Sequence, residues 1–539
     1  MYFTYYYFTA SLILFYLASI SHHIVLTLAI LWIAASLLIV SIAYLFQRPA
    51  IFRKRIDGTI PLYIQWIFVP FFLGVQLYNS WARKNDKVPA IQEIDDNTYL
   101  ACRLFPRDIE RLDELNITTI LDVTAEFSGL NWSANNEHLN YLNIPVLDHQ
   151  SPTNEQIKQA LYYLTSHSQQ GQKVVIHCAL GRGRSVLIAA AYLLSKNPDD
   201  SVEQTLAKIN GIRRTANLNK TQKKALAKAH QQGITSQLNR LAIVANPVSG
   251  GGKWPENKQE ILQRLSQHFI VRIYETTEQE SATEKTQTAL NDGAQFIIAA
   301  GGDGTVSEVA AQILHQDITL GILPMGTTNA FCHVLYGFVT KLMPVHVCCD
   351  IIEQQATKTV NVAKCNDELV LLVASIGLSQ IMIAEADRDE KNQAGQFAYI
   401  KGLWNAIQEH QLFELTVTFD DHSPQTITTP SMVIANSAPS TTILAQGGGS
   451  TTADENSLDI TWLPGDIEVN QQLINILDLA LCGLREEKPN EDIKFKQVNR
   501  VKITSKKTIS YAIDGEDRSA GSIQMTLEKK ALRLFARNQ

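Results

Sequence analysis

The chain lacks any excess of positive charge. Its 47 lysines and arginines are outnumbered by 53 aspartates and glutamates, for a formal charge of −6 at pH 7 and an isoelectric point near 6.1. Nucleic-acid binding demands a basic face that would show in these totals, so that class is set aside. The seven cysteines (102, 178, 332, 348, 349, 365 and 482) are odd in number and have no metal-ligand spacing. They argue against a disulfide framework and for a reducing compartment. Cys348-Cys349 reads as buried apolar filler. Internal repeats and low-complexity tracts are missing too. What is present, 539 residues, is more than one core holds, so several domains are expected.

Residues 2–20 and 24–46 are almost wholly apolar, and only Ser21-His22-His23 separates them. Each is about long enough to cross a hydrocarbon layer of roughly 30 Å, which predicts a transmembrane helical hairpin. A basic n-region is lacking and the second run is too long for an h-region, so a retained anchor is expected rather than a cleaved signal. Arg48, Arg53, Lys54 and Arg55 follow and place both hairpin ends in the cytoplasm. A third apolar run, 60–81, is interrupted by Pro61, Gln65, Pro70 and Gln76. It reads as an interfacial or re-entrant segment on the inner leaflet, with a third span as the alternative. Residues 1–87 thus form a membrane anchor.

The pattern then becomes α/β multidomain. From 88 to 235, strands are expected at Thr118–Val123, Tyr141–Val146 and Val174–His177, and helices at Asn154–Ser166 and Val186–Ser195. A polar stretch over 222–240 leads to a fresh strand, Leu241–Ala245. Residues 240–335 alternate strand and helix as one lobe, and 336–539 form a mainly β second lobe, with strands such as Glu414–Phe419 and Ser431–Ile434.

The run His177-Cys178-Ala179-Leu180-Gly181-Arg182-Gly183-Arg184-Ser185 carries the first chemistry. A strand feeding a glycine-bearing loop that opens a helix gathers backbone amides into an anion cradle, here Ala179, Leu180, Gly181, Arg182 and Gly183. The amides, the helix dipole and Arg184 supply the positive potential that a nucleophilic thiolate needs at Cys178. Arg184 can fork two phosphoryl oxygens. Asp148, thirty residues earlier, is the expected general acid, and Ser185 would stabilise the departing thiolate. His177 orders the loop, Asp122 and Glu126 orient neighbouring loops, and Arg182 adds charge suited to a doubly anionic or lipid phosphate. The motif, with Arg213, Arg214, Asn217, Leu218, Asn219 and Gln222 behind it, resembles the dual-specificity branch of the protein tyrosine phosphatases over roughly 90–225.

A second chemistry follows strand Leu241–Ala245. Asn246-Pro247-Val248-Ser249-Gly250-Gly251-Gly252 lets backbone amides approach a phosphate chain. Strand Phe296–Ala300 leads into Gly301-Gly302-Asp303-Gly304-Thr305-Val306-Ser307-Glu308, where Asp303 offers a carboxylate to a magnesium nucleotide. Strand Leu320–Leu323 ends in Pro324-Met325-Gly326-Thr327-Thr328-Asn329. Three loops at strand carboxyl ends should line one crevice.

This set resembles the diacylglycerol kinase catalytic family over about 240–539. Thr276, Lys391, Gly395, Tyr399, Asn436 and Asp514-Gly515-Glu516 match as well. The resemblance implies ATP and Mg2+ as cofactors, a phosphate-organising Asp303, and Glu516 as the base for a lipid hydroxyl. Ala330, Asn361 and Glu455-Asn456 depart from the family's acidic pattern and leave the accessory cation open, with Glu455 a weak candidate ligand.

The two resemblances together imply a membrane-anchored bifunctional enzyme of bacterial type. It would join a cofactor-free phosphatase for a phosphorylated lipid or phosphoprotein to a kinase for diacylglycerol or a related lipid. Its membrane would be the bacterial inner or plasma membrane. The alternatives are a non-catalytic lipid-sensing kinase half and a soluble-metabolite kinase of the NAD kinase type.

Overall fold

The structure is a computed structural model, and it describes residues 2–129, 139–337, 339–377, 412–439, 442, 445, 456–465 and 493–537. Two compact units divide the chain. One is Met1–Asn239 with Ser266–Arg272, and the other is Arg240–Leu265 with Ile273–Gln539.

In the first unit, α1 (Tyr2–Ile20) and α2 (Ile24–Leu45) are long and apolar enough to cross a membrane. They are stapled by Ser11 Oγ donating to the Ala34 carbonyl and Ser41 Oγ to that of Thr4, both at 2.9 Å. Such small polar ties suit helices that have no hydrophobic force between them in lipid. Leu12, Ile13, Tyr16, Val25 and Leu28 are left exposed on the outer faces. The third apolar run is a continuous helix, α3 (Leu62–Lys84), with Pro70 inside it. One face, Ile64, Phe68, Phe71, Asn79 and Ala82, is buried. The other shows Leu62, Trp66, Leu73, Leu77 and Trp81 to the outside.

The sheet of this unit has the order β1-β2-β5-β3-β4, with β1 Ile91–Asp95, β2 Thr98–Ala101, β3 Ile117–Asp122, β4 Asn140–Asn143 and β5 Lys173–His177. β5 lies parallel between β2 and β3. Val174, Val175 and Ile176 are all fully buried, as a strand covered on both faces requires. The expected strand 141–146 is shorter, because Pro145 has no amide to continue the ladder. The chain leaves the sheet after Ile144, whose amide still reaches the Asp122 carbonyl. Helices α4 (Asn154–Gln169), α5 (Arg184–Lys196), α6 (Val202–Ile212) and α7 (Lys220–Gln231) complete the unit. Thr153–Gln156, Ser201–Gln204 and Asn219–Gln222 close capping boxes that satisfy the first amides of α4, α6 and α7.

In the second unit β6 (Arg240–Ala245), β8 (Phe296–Gly301) and β9 (Thr319–Pro324) run parallel, and β7 (Ile270–Glu275) falls between β6 and β8 in chain order. The stretch after 335 does not turn to strand at once, because Val339–Leu342 and Pro344–Gln354 are helical. The β-rich part then begins with β10 (Thr357–Cys365), continues among the described residues through β11 (Glu368–Val370), β12 (Val373–Gly377), β13 (Phe413–Phe419), β14 (Gln425–Thr429), β15 (Ser431–Ala435), β16 (Leu458–Trp462) and β17 (Lys494–Val498), and ends with β18 (Arg500–Ile513) and β19 (Glu516–Phe535). β19 pairs antiparallel with β10 and β18, and its last residues run parallel to β9, with Arg533 opposite Thr319 and Leu534 opposite Leu320. The expected lobe boundary at 335 is therefore bridged by one sheet, and Phe535 stacks on Phe296 at 5.5 Å. Phe535 is fully buried, so Phe535→Ala is expected to destabilise the second unit by about 3–5 kcal/mol. Thermal unfolding followed by near-ultraviolet circular dichroism measures it.

Candidate active sites

The loop after β5 is gripped from outside. The Ala179 carbonyl accepts from the Arg103 amide (3.1 Å) and from Asn79 Nδ2 of α3 (2.8 Å). Arg213 Nε donates to the Gly181 carbonyl at 2.8 Å and its Nη2 to that of Leu180 at 3.3 Å. The Asn217 amide reaches the Arg182 carbonyl at 2.8 Å. Four successive carbonyls held outward make the loop the kind of amide nest that cradles anions. Gly181 has a φ of +65°, and a Cβ there would come within 2.7 Å of the Ala101 carbonyl oxygen, so no other residue fits. Cys178 is buried, and Ser185 Oγ donates to its Sγ at 3.2 Å.

Arg184 is wholly enclosed. It forks Glu126 through Nη2–Oε1 at 2.7 Å and Nη1–Oε2 at 2.9 Å, donates to the Val146 carbonyl, and lies 3.0 Å from Asp148 Oδ1. Burial alone would favour its neutral form, but Glu126 and Asp148 outweigh that and hold it firmly cationic. Asp148 keeps 42% side-chain exposure and sits in the loop beyond β4. Asn219 and Gln222 fix that loop by donating to the His149 and Gln150 carbonyls. Arg182 does not point free charge into the cradle, because its guanidinium pairs with Asp86 at 3.0 Å.

Three residues matter more than the sequence suggested. Glu126 clamps Arg184 directly. Lys54, read as a surface topology signal, has a wholly buried side chain that donates to Asp122 Oδ2 at 2.7 Å and to the Thr124 carbonyl at 2.9 Å. Asn79 holds the cysteine loop. Burial works to raise the Asp122 carboxyl, but Lys54, His177 and the Tyr141 hydroxyl prevail and keep it well below the usual range. Burial lowers His177, against the pull of Asp122 3.8 Å away.

In the second unit the three expected loops meet. Gly250 has a φ of +57°, and a Cβ on it would collide with the Met325 carbonyl. Gly302 lies against Gly326 and Ser249. The Asn246 amide bonds the Ala300 carbonyl, and that of Thr276 bonds Ala245. Thr305 packs under Gly301. Asn329 closes its own loop by accepting from the Gly326 amide and donating to the Gly326 carbonyl, both at 2.9 Å. Lys253, missed in the sequence, donates to the same carbonyl at 2.8 Å.

Asp303 is engaged within the fold. Its two oxygens accept from the Ala330 and Phe331 amides at 2.9 and 3.1 Å, tying the second loop to the third. Glu308 turns to the Thr283 amide (3.2 Å), because that helix start leaves amides to satisfy. Glu516 is 65% exposed, pairs with Arg518 at 2.8 Å, and has Oε1 about a van der Waals contact from the Gly304 side of the loop. Thr327, with Pro247 and Gly304, lies on the same turns. Asn436 is a buried tie, donating to the Asn361 and Leu371 carbonyls. Lys391, Gly395, Tyr399 and Glu455 lie outside the described residues.

A glycine cradle that a Cβ would fill fits the phosphate chain of a nucleotide. No cluster of three or more His, Cys, Asp or Glu side chains able to hold a metal occurs among the described residues.

The first unit carries a cysteine loop that opens a helix, and the second carries three glycine-bearing loops that meet. The dual specificity phosphatase catalytic domain model matches residues 99–232, and the diacylglycerol kinase catalytic domain model matches 240–365. An uncharacterized protein of Synechocystis sp. is 31% identical over 307 residues, covering 54% of this chain and 69% of that one. The diacylglycerol kinase of Bacillus subtilis is 26% identical over 285 residues, covering 52% and 90%. Among solved structures, PTPMT1 in complex with PI(5)P overlaps 27% of this chain and 97% of its own, at 21% identity and a TM-score of 0.26. The chain thus joins a dual specificity phosphatase catalytic domain over 99–232 to a diacylglycerol kinase catalytic domain over 240–365.

Two outcomes are expected from this geometry. Glu126→Ala strands the buried Arg184 charge and should cost the first unit about 3–5 kcal/mol, read as a lowered unfolding midpoint. Burial, reinforced by the charge of Asp303, pushes the Asp514 carboxyl up to about 6 against three amide donors at Leu371, Leu372 and Val373. The folded state therefore binds this proton more tightly than an unfolded aspartate, whose pKa is about 3.9. This contribution to stability is complete below about pH 4 and lost as pH rises through about 6. Carboxyl-carbon NMR titration, with Asp514→Asn as the assignment control, measures it.

Proposed function

We propose that the chain is a membrane-anchored bifunctional enzyme, with a cysteine-dependent phosphatase and an ATP-dependent kinase for diacylglycerol or a related lipid hydroxyl. The observation that carries the phosphatase half is the convergence of Cys178, Ser185, Arg184 and Asp148 on one amide nest. In the first step Cys178 sulfur bonds to phosphorus as the phosphorus–oxygen ester bond breaks. Asp148 gives its proton to the leaving oxygen. In the second step water attacks phosphorus, the sulfur–phosphorus bond breaks with Ser185 bonded to the departing sulfur, and Asp148 takes the water's proton. Inorganic phosphate leaves. Arg184 meets the charge that builds on the non-bridging oxygens. The substrate is a phosphorylated lipid or a phosphoprotein.

The meeting of the three glycine turns supports the kinase half. Bound magnesium ATP supplies the transferable phosphoryl group. Asn246, Pro247, Ser249, Gly250, Thr276, Gly301, Gly302, Gly304, Thr305, Gly326, Thr327 and Asn329 would hold its phosphates and ribose. Asp303 positions these loops through the Ala330 and Phe331 amides, and Glu516 accepts the proton of the lipid hydroxyl.

Purified full chain, labelled ATP, mixed lipids and NAD test the kinase reading. Labelled lipid phosphate supports it, labelled NADP favours the soluble-metabolite kinase, and no transfer favours the lipid sensor. Cys178→Ser is expected to abolish aryl phosphate hydrolysis and leave lipid phosphorylation in place. Asp303→Ala should do the reverse, with at least a hundredfold loss of phosphoryl transfer.

A further inference from the structure

The apolar segments are not a tether at a distance from the phosphatase but part of its wall. Phe3 and Tyr7 at the start of α1, Val40 and Tyr44 at the end of α2, and Ile64, Phe68 and Phe71 of α3 pack into one cluster with Ala125 and Leu147. Ala125 immediately precedes Glu126, and Leu147 immediately precedes Asp148, the two carboxylates that face Arg184. Phe3 stacks on His149 with ring centres 4.7 Å apart. Toward its other end α3 holds the cysteine loop through Asn79, and Arg83 forks Asp108 at 2.6 and 2.8 Å. Asp86, just past α3, pairs with Arg182 of the same loop.

All three loops of the phosphatase site are therefore fixed by the anchor, at the end of the hairpin where α1 begins and α2 finishes. That same end carries the exposed Arg48, Arg53 and Arg55, a band suited to an anionic leaflet surface. The outer face of α3 shows Trp66 at 70% and Trp81 at 64% exposure, with Tyr63 and Tyr78 beside them. Such aromatics settle at the lipid–water boundary. A helix is about 10 Å across, so a loop bonded to the inner face of α3 lies about one helix diameter from that boundary.

We infer that the phosphatase site takes a phosphomonoester on the head group of a membrane lipid, entering from the leaflet on which α3 lies. This rests on the phosphatase reading above. A folded phosphoprotein would have to reach the cradle past the membrane surface, whereas a lipid diffuses to it within the plane.

The test uses the full chain reconstituted in phosphatidylcholine vesicles. The substrates are vesicle-borne phosphatidic acid, phosphatidylglycerol phosphate and a phosphoinositide monophosphate, their deacylated head groups, a phosphotyrosine peptide and an aryl phosphate. At least one lipid should be hydrolysed with a kcat/KM about a hundredfold above its own deacylated head group and above the peptide. Trp66→Asp combined with Trp81→Asp should lower the lipid-to-aryl ratio about tenfold. Aryl phosphate hydrolysis with the peptide or a free head group used as well as every lipid would overturn the inference and leave the phosphatase reading standing. Absence of aryl phosphate hydrolysis in the unsubstituted chain would remove the phosphatase reading itself.

Discussion

A guanidinium enclosed by protein must be matched by negative charge, and that requirement at Arg184 organises the first half of the molecule. Removing a charge from water costs several kcal/mol, which is offset only by close and well-directed partners. Glu126 supplies the fork and Asp148 the second contact. Each comes from a different loop, so matching the charge also fixes the relative position of the cysteine loop, the loop after β3 and the loop after β4. A phosphoryl group entering the cradle would meet an arginine already aligned, and Asp148 is the more exposed of its two partners.

Lys54 repeats the logic one layer down. Its ammonium and the Asp122 carboxylate are both removed from solvent, and Tyr141, Thr124 and His177 surround the carboxylate. The strand that delivers Cys178 is thereby braced by a residue that lies between the apolar hairpin and the α/β unit. An anchor cut away at residue 87 would take with it Lys54, Asn79, Arg83 and Asp86, and leave buried partners behind.

How much of this was legible in the sequence follows from the range of the interactions. Apolar run length marked α1 and α2 within a residue or so, and the strand-loop-helix pattern marked both phosphate loops, because each is encoded over a few consecutive residues. Glu126 and Arg184 are 58 positions apart, Lys54 and Asp122 are 68 apart, and Asn79 and Ala179 are 100 apart. No local period announces such pairs. Asp303 was legible as a loop carboxylate, but its bonds to the Ala330 and Phe331 amides depend on how β8 and β9 lie side by side. The tie across the expected lobe boundary at 335 escapes local reading for the same reason, since the strand that crosses it comes from the far end of the chain.

That strand has a consequence for the order in which the protein can form. β19 closes against β9 only once residues 533 and 534 exist, so the parallel strands of the second unit wait for a partner made some two hundred positions later, a separation that slows folding. The hairpin, the α3 helix and most of the phosphatase unit need no such late arrival. On the ribosome, the two apolar helices would emerge well before the second unit could be sewn together.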